Sequence, residues 1–502
     1  MSSSIDGTDD HVFVRHSPIF RLAVTGALMI LLSKTVYNLL FHPLADFPGP
    51  FLGRASLFWR FQHTAGGKIH IAIEELHRQY GPIVRISPNE LSFASVESWR
   101  VIYGHASPGK EVMRKSPFYD IYGSGFRHSC IGSERDPKKH GNMRRMLSAA
   151  FSQRALLEQE AIVASTIDRF VEVLGEQMKS GTEALNMTKW YEMVSFDILG
   201  EMAFGESFHS IETGQPHFWS DLILEHLYFI TLIDNLSRLP FAATIFRTLF
   251  PSTLIAKNRN SEFSRKQVER RLNSQSLRKD FLTHLVQKVR DGEVQREEMT
   301  AHVSTLAIAG GETVSTFLAG TTFFLLKKPS AMEKLSSEIR NAFPSYEAIN
   351  AQKAQQLPYL QAVIHEGLRM YPPGSQGFPR VSTGFELHSR YIPPGAEVYT
   401  SAWAVTHDPE YWDSPMEFVP ERWLESKSQD MREASQPFSL GPRGCLGRNF
   451  AYMEMFLLLA KMLWKYDLEL VNKNMDWLKE GKVYVMWWKP KLMVRFHPRN
   501  DV

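Results

Sequence analysis

Cysteine is nearly missing from this sequence: Cys130 and Cys445 are the two present among 502 residues. That excludes a disulfide framework and a multi-thiolate zinc site, and it points to a reducing compartment. An excess of charge of one sign is missing too. Lys and Arg number 57 against 54 Asp and Glu, a formal net charge of +3. A surface that tracks phosphates shows as a strong basic excess, so a dedicated nucleic-acid binder is excluded. No Gly/Ser-rich linker, charge block or internal repeat divides residues 51–502. What the chain does have is apolar mass, 43% hydrophobic and 12% aromatic residues, enough for a large core and unlike a disordered chain. Length alone allows about two to four domains, or one large one; the lack of a divider favours one large body.

One long apolar run stands out. PIFRLAVTGALMILLSKTVYNLLF, from Pro18 to Phe41, carries only Arg21 and Lys34 as charges over 24 residues. At about 1.5 Å per residue a helix of this length spans a bilayer. Residues 1–17 hold Asp6, Asp9 and Asp10 where a cleaved secretory signal wants positive charge, and no small-residue cleavage site follows. The run therefore reads as a transmembrane anchor behind a short tail. His42-Pro43-Leu44 and Phe47-Pro48-Gly49-Pro50 then stop the helix, because proline fixes φ and removes a donor. The expected organisation is a tail (1–17), an anchor (18–41), a stiff proline-rich hinge (42–50) and a single globular body (51–502). The sequons at Asn186 and Asn235 are expected to stay unused, with the body in the cytosol.

Helical periodicity dominates that body. It predicts helices over Ile69–Tyr80, His140–Phe151, Arg154–Lys179, Met187–Phe204, Phe218–Asn235, Arg259–Arg290, Glu297–Lys328, Ser330–Phe343, Tyr359–Met370 and Asn449–Tyr466. Strand-like alternation is confined to Ile83–Ala94, Val381–Tyr399 and Val483–Phe496. The expected fold is mainly α with small segregated β-sheets.

Three suggestive motifs fail on chemistry. Gly104 to Glu111 is a phosphate-binding loop with a carboxylate where the Ser or Thr hydroxyl belongs, and Pro108 removes a needed N–H. His365-Glu366-Gly367-Leu368-Arg369 opens like a zinc-protease helix, but Arg369 puts a cation at the second ligand position. Gly123-Ser124-Gly125 lacks the third glycine and the strand–turn–helix setting of a dinucleotide site.

The segment around Cys445 is different. In PFSLGPRGCLGRNFA (437–451) the cysteine sits among Gly441, Gly444 and Gly447, just before a predicted helix and two residues after Arg443. Glycines let the backbone approach a flat group closely, and the helix N-terminus is expected to lower the thiol pKa. One thiolate with no second Cys or His close by cannot build a zinc site, but it can be the single axial ligand of a haem iron. A buried inert cysteine in a glycine-rich turn is the alternative reading of these residues.

Phe438 to Gly447, FSLGPRGCLG, resembles the haem-binding signature of the cytochrome P-450 monooxygenases, Phe-x-x-Gly-x-Arg-x-Cys-x-Gly, at every fixed position. Other segments resemble the family in its order. Glu366 and Arg369 fit its helical Glu-x-x-Arg, and Pro420-Glu421-Arg422-Trp423 supplies the third member, Arg422, with Trp where many relatives have Phe. The resemblance implies a structural triad bracing the loop of Cys445. Ala309-Gly310-Gly311-Glu312-Thr313 fits the oxygen-binding turn of the long distal helix, where two glycines cost about 1 kcal/mol each relative to alanine. The resemblance assigns Thr313 to hydrogen-bonding bound oxygen and Glu312 to relaying protons. Val314 stands where the family often has a second hydroxyl, which puts the detailed proton route in doubt. His140 and Arg144, with Arg443 and Arg380, match contacts to the haem propionates. Ala309, Gly310, Ser375 and Gln376 are expected to line the substrate pocket.

The function implied is insertion of one oxygen atom from O2 into an apolar small molecule, using heme b. The hinge and Leu185–Phe208 look most like microsomal enzymes of fungal secondary metabolism, which points to a terpenoid, polyketide or alkaloid substrate. No flavin or nicotinamide fingerprint is present, so electrons are expected from NADPH through NADPH–cytochrome P-450 reductase, with cytochrome b5 as a second donor. Lys138, Lys139, Arg144 and Arg145 form a basic cluster that can face such a partner; a solvated helix face with one propionate ligand is the alternative reading. The implied location is the endoplasmic reticulum membrane, single-pass, with the body facing the cytosol. Two alternatives stay open: a haem-thiolate isomerase or dehydratase needing no reductase, and a haem-binding sensor that never turns over.

Overall fold

The computed structural model describes residues 18–106, 109, 111–123, 125–179, 183–239, 248, 252–274, 280–424 and 430–499. The tail, Ser107, Pro108 and Lys110 of the phosphate-loop lookalike, and Ser124 lie outside the described residues. The apolar run forms the helix Pro18–Val36, prolonged by a π-helical turn Tyr37–Phe41. Phe20–Phe41, 22 residues, is long and apolar enough to cross a membrane, and none of it is buried against the body.

The proline-rich joint packs against the body. Leu44 and Phe47 are buried in one core cluster with Ile83, Leu91 and Phe93. Arg85 donates from its amide to the Pro48 carbonyl at 2.7 Å and from its guanidinium to the Asn38 carbonyl at 2.9 Å. The prolines do stop the helix, but the apolar residues between them give the segment a reason to dock.

Met187–Phe204 forms the predicted helix, buried on nearly every side, and ends at Gly205 in the left-handed region (φ 75°), a common helix stop. Against it lies the longest helix, Arg296–Lys327. A Cβ on Gly311 would come within 2.6 Å of Phe196, so this glycine is what lets the two helices approach. Together with the helices Gln153–Lys179, Pro358–Met370 and Arg448–Lys465 they enclose the largest apolar cluster.

The predicted Arg259–Arg290 helix is two: Ser252–Asn273 and Thr283–Arg290. Asp280 makes the corner. Its carboxylate pairs with Arg271 at 2.8 Å and accepts from the Leu282 amide at 3.0 Å, while the Phe281 amide crosses to the Met202 carbonyl. Those bonds replace the helical ladder.

The strand regions resolve into small sheets. Ile83–Ser87 and Glu90–Phe93 form a hairpin, and Glu397–Thr400, Arg380–Val381 and Arg114–Lys115 complete a five-stranded sheet in that spatial order. Val483–Phe496 contains the hairpin Lys482–Tyr484/Met486–Trp488, turning on Val485 at φ 67°, and the strand Met493–Pro498, which pairs with Tyr466–Leu470. A β-branched residue at positive φ is strained, and Val485 lines the cavity described next.

Candidate active site

In the loop before Arg448–Lys465 the Cys445 amide donates to the Phe438 carbonyl at 2.8 Å and the Gly444 amide to the Gly441 carbonyl at 3.0 Å. Gly441 makes the turn at φ 64°; a Cβ there would lie 2.2 Å from the Tyr103 carbonyl oxygen. It therefore shapes the loop without lining the cavity. Arg144 donates to the Gly444 carbonyl at 2.6 Å. Cys445, Phe438 and Gly447 face a cavity of about 390 Å³. The cysteine is open to that cavity but lies well below the outer surface, and burial pushes its thiol up. The Gly447 amide, Arg144 and Arg448 pull the other way without prevailing. The lowering expected from the helix N-terminus is thus outweighed; a bound metal deprotonates a coordinating thiol by itself.

Ala309, Gly310 and Thr313 line the same cavity from the longest helix, and the Thr313 hydroxyl donates to the Ala309 carbonyl at 2.6 Å. A Cβ on Gly310 would lie 3.3 Å from Leu199. Glu312 does not line the cavity. One residue advances about 100° around a helix, and its carboxylate turns away to meet Lys489 at 3.0 Å. Of the expected pocket pair, Gln376 faces the cavity and Ser375 does not: Ser375 is fully buried, its carbonyl accepting from the Trp403 amide at 2.9 Å.

Cations gather on a third wall. His140, Arg144, Arg380 and Arg443 all line the cavity, joined by Lys115, which carries no motif in the sequence. Arg443 donates to the Glu134 and Arg135 carbonyls at 2.7 and 2.8 Å. Arg380 reaches the Pro379 carbonyl at 3.1 Å, and Lys115 the Ile131 and Gly132 carbonyls at 3.0 and 2.5 Å. Among the described residues none of these four arginine and lysine side chains pairs with a carboxylate. The consequences are visible in their protonation. Burial, then Arg443 and Arg380, holds Lys115 well below the usual lysine range. Burial and the same cations push His140 down to about 3, and burial with Arg380 lowers Arg443 to about 10. Buried and half-buried cations that meet carbonyls and the Tyr103 and Tyr119 side chains but no carboxylate suit a group that brings its own carboxylates. A cysteine sulfur facing that group's centre and cations at its edge fit haem with its two propionates.

Behind the cysteine loop, Glu366 is fully buried and saturated. Arg369 donates to both of its oxygens at 2.8 and 2.9 Å, Arg422 at 3.2 Å, the Val419 amide at 2.9 Å and the Trp423 indole at 2.8 Å. Burial pushes this carboxyl up, but Arg369 and Arg422 more than offset it and hold it below the usual range. An aromatic chain leads from the triad to the cysteine loop: Trp423 stacks on His365 at 5.1 Å, His365 meets Tyr452 at 6.0 Å, and Tyr452 meets Phe438 at 5.0 Å. His365 is therefore part of the brace, not a metal ligand.

The family profile described as Cytochrome P450 matches residues 48–496. The chain belongs to the cytochrome P450 family. It is similar to cytochrome P450 monooxygenase BOT4 of Botryotinia fuckeliana, 61% identical over 92% of this chain and 88% of the relative. It is 59% identical to cytochrome P450 monooxygenase ORF9 of Penicillium roqueforti, over 94% and 92%. The trichothecene C-15 hydroxylase of Fusarium sporotrichioides is 34% identical, over 96% and 99%. This P450 is accordingly an oxidoreductase of the monooxygenase class, using haem-thiolate iron and O2.

Sequence reasoning missed two features of the P450 cavity besides Lys115. Its far end is polar: Arg60, Glu90, Asp234, Asn235 and Glu397 line it, with Arg60 bonded to Glu90 at 2.7 Å, Asp234 at 2.7 Å and Asn235 at 2.6 Å. Asn235 is thus a buried network residue. The other is Glu454, a buried carboxyl on the cavity wall that burial pushes well above the usual range. Neither has a local spacing that would announce it.

Proposed function

We propose that this P450 inserts one oxygen atom into an apolar small molecule of fungal secondary metabolism, a terpenoid, polyketide or alkaloid. The observation that carries this reading is the shared cavity, which sets the Cys445 sulfur and the Ala309–Thr313 turn on walls of one chamber. Cys445 would hold the haem iron, which would supply the oxygen-activating chemistry. Phe438 and Gly447 would pack on the haem, Gly441 sets the loop, and His140, Arg144, Arg380, Arg443 and Lys115 would take the propionates. Glu366, Arg369 and Arg422 keep the loop in place. Ala309, Gly310 and Gln376 shape the space for substrate. The Thr313 hydroxyl, now donating to Ala309, has a second direction toward the cavity in which it can hold a proton, and Glu312 on the neighbouring face of the helix supplies one.

Electrons come from NADPH through NADPH–cytochrome P450 reductase, with cytochrome b5 as a second donor. Lys138, Lys139 and Arg145 are exposed on the helix that carries Arg144, which places positive charge outside the cysteine loop for an acidic partner. The N-terminal helix supports a single-pass location in the endoplasmic reticulum membrane with the catalytic domain in the cytosol.

Microsomes containing this P450 and the reductase, given NADPH, 18O2 and a panel of terpenoid and polyketide intermediates, should yield a product carrying one labelled atom. Oxidation without the label, or without NADPH, overturns the reading. Cys445→Ala should lose the thiolate type of CO spectrum and all turnover. Thr313→Ala should keep the spectrum, consume NADPH and release peroxide in place of product.

A further inference from the structure

Glu312 belongs to a line of alternating charges that runs from the helix core to the surface. Its Oε2 accepts from Lys489 Nζ at 3.0 Å, and the same ammonium reaches Glu192 Oε1 at 3.1 Å and lies 3.5 Å from the Ser315 hydroxyl. Glu192 Oε2 accepts from Lys189 at 2.9 Å, and Lys189 reaches Asp221 at 3.4 Å. The side chains of Glu312, Lys489 and Glu192 are 0, 1 and 3% exposed, whereas Lys189 and Asp221 are 39 and 66% exposed. The charged groups acting on Glu312 are Lys489, Glu192 and Lys189; they come from Met187–Phe204 (Glu192, Lys189) and the segment before Met493–Pro498 (Lys489), with Ser315 on its own helix and Asp221 of Phe218–Ser237 ending the line.

Two buried carboxylates therefore share one ammonium, and their surroundings differ. Glu192 has a second ammonium in Lys189. Glu312 has none, and its Oε1 has no hydrogen-bond partner among the described residues. When like charges share a site, the better-compensated one stays ionised and the other takes the proton. Burial pushes both up; Lys489 and Lys189 bring Glu192 below the usual range, and Glu312 stays above it.

We propose that Glu192 and Lys489 are positioning residues for proton supply in this P450: Lys489 fixes the Glu312 carboxyl behind Thr313, and Glu192 makes Glu312 the member that accepts a proton. The inference rests on the proposed role of Glu312 and has a test that needs no turnover. In the full-length holoenzyme, infrared titration follows the protonated-carboxyl band that vanishes in Glu312→Gln. Glu192→Gln removes a negative neighbour and should lower the midpoint of that band by about one pH unit or more. Lys489→Met removes the positive one and should raise it. Opposite shifts support the arrangement. Shifts in one direction, no shift in Glu192→Gln, or no band lost in Glu312→Gln overturn it. Glu192→Gln is nearly isosteric and carries the test alone if Lys489→Met does not accumulate. Failure of the monooxygenase reading would appear elsewhere, as product without the oxygen label.

Discussion

Glu366 and Glu312 are both fully buried carboxyls on helices, and each faces a cation. They differ in how many donors reach them. Glu366 receives five hydrogen bonds, shared between both oxygens, from two guanidiniums, an amide and an indole. Among the described residues Glu312 receives one, from an ammonium it shares, and its other oxygen has no partner. Saturation turns a buried carboxylate into a permanent brace; under-saturation leaves it able to change charge.

Removing the brace should have the largest effect. Glu366→Gln leaves the buried Arg369 guanidinium without its carboxylate, while Arg422 keeps Asp430 at 2.8 Å, and should cost about 3–5 kcal/mol, read as loss of haem-loaded protein and a lower denaturant midpoint. A variant within about 1 kcal/mol of wild type would contradict the assignment. Trp423→Phe keeps the stack on His365 and removes one donor to a charged acceptor, for about 1.5–3 kcal/mol in the same unfolding experiment. If it is neutral, the indole bond contributes nothing and the contrast with Glu312 narrows.

Glu312→Gln should change stability least, by about 1 kcal/mol or less at neutral pH, because Lys489 keeps Glu192. Its signature is the pH slope. The Glu312 carboxyl is raised in the folded state, so wild type is favoured at low pH and loses ground against the variant as pH rises through the folded value. Glu366, held low, contributes above its unfolded value and loses that contribution as pH falls through its folded value. Urea unfolding of wild type and Glu312→Gln across pH reads the first slope, and parallel curves would remove it.

How much of this was legible depended on whether the chemistry sits in one short stretch. Phe438–Gly447 and the Glu366/Arg369 pair carry their spacing locally, and the sequence announces them. The Val419 amide and the Trp423 indole reach Glu366 only because a loop folds over it. Lys489 lies 177 residues from Glu312 and Lys115 has no fixed spacing to Cys445, so no window contains either pair. Periodicity found the helices but not the corner at Asp280, where a side chain competes with the backbone, nor the turn at Val485, which goes against the residue's own preference. Proline in residues 42–50 announced a helix stop; the burial of Leu44 and Phe47 depended on partners far along the chain.

The wall of cations has a consequence for stability. Lys115, Arg380 and Arg443 repel one another and meet backbone carbonyls and the Tyr103 and Tyr119 side chains, with no carboxylate pair among the described residues, so a group bearing two carboxylates would relieve that repulsion. A guest that binds the folded form and not the unfolded one adds its binding free energy to stability. Haem binding would therefore raise the denaturant midpoint of this chain, with the cation wall contributing to that gain.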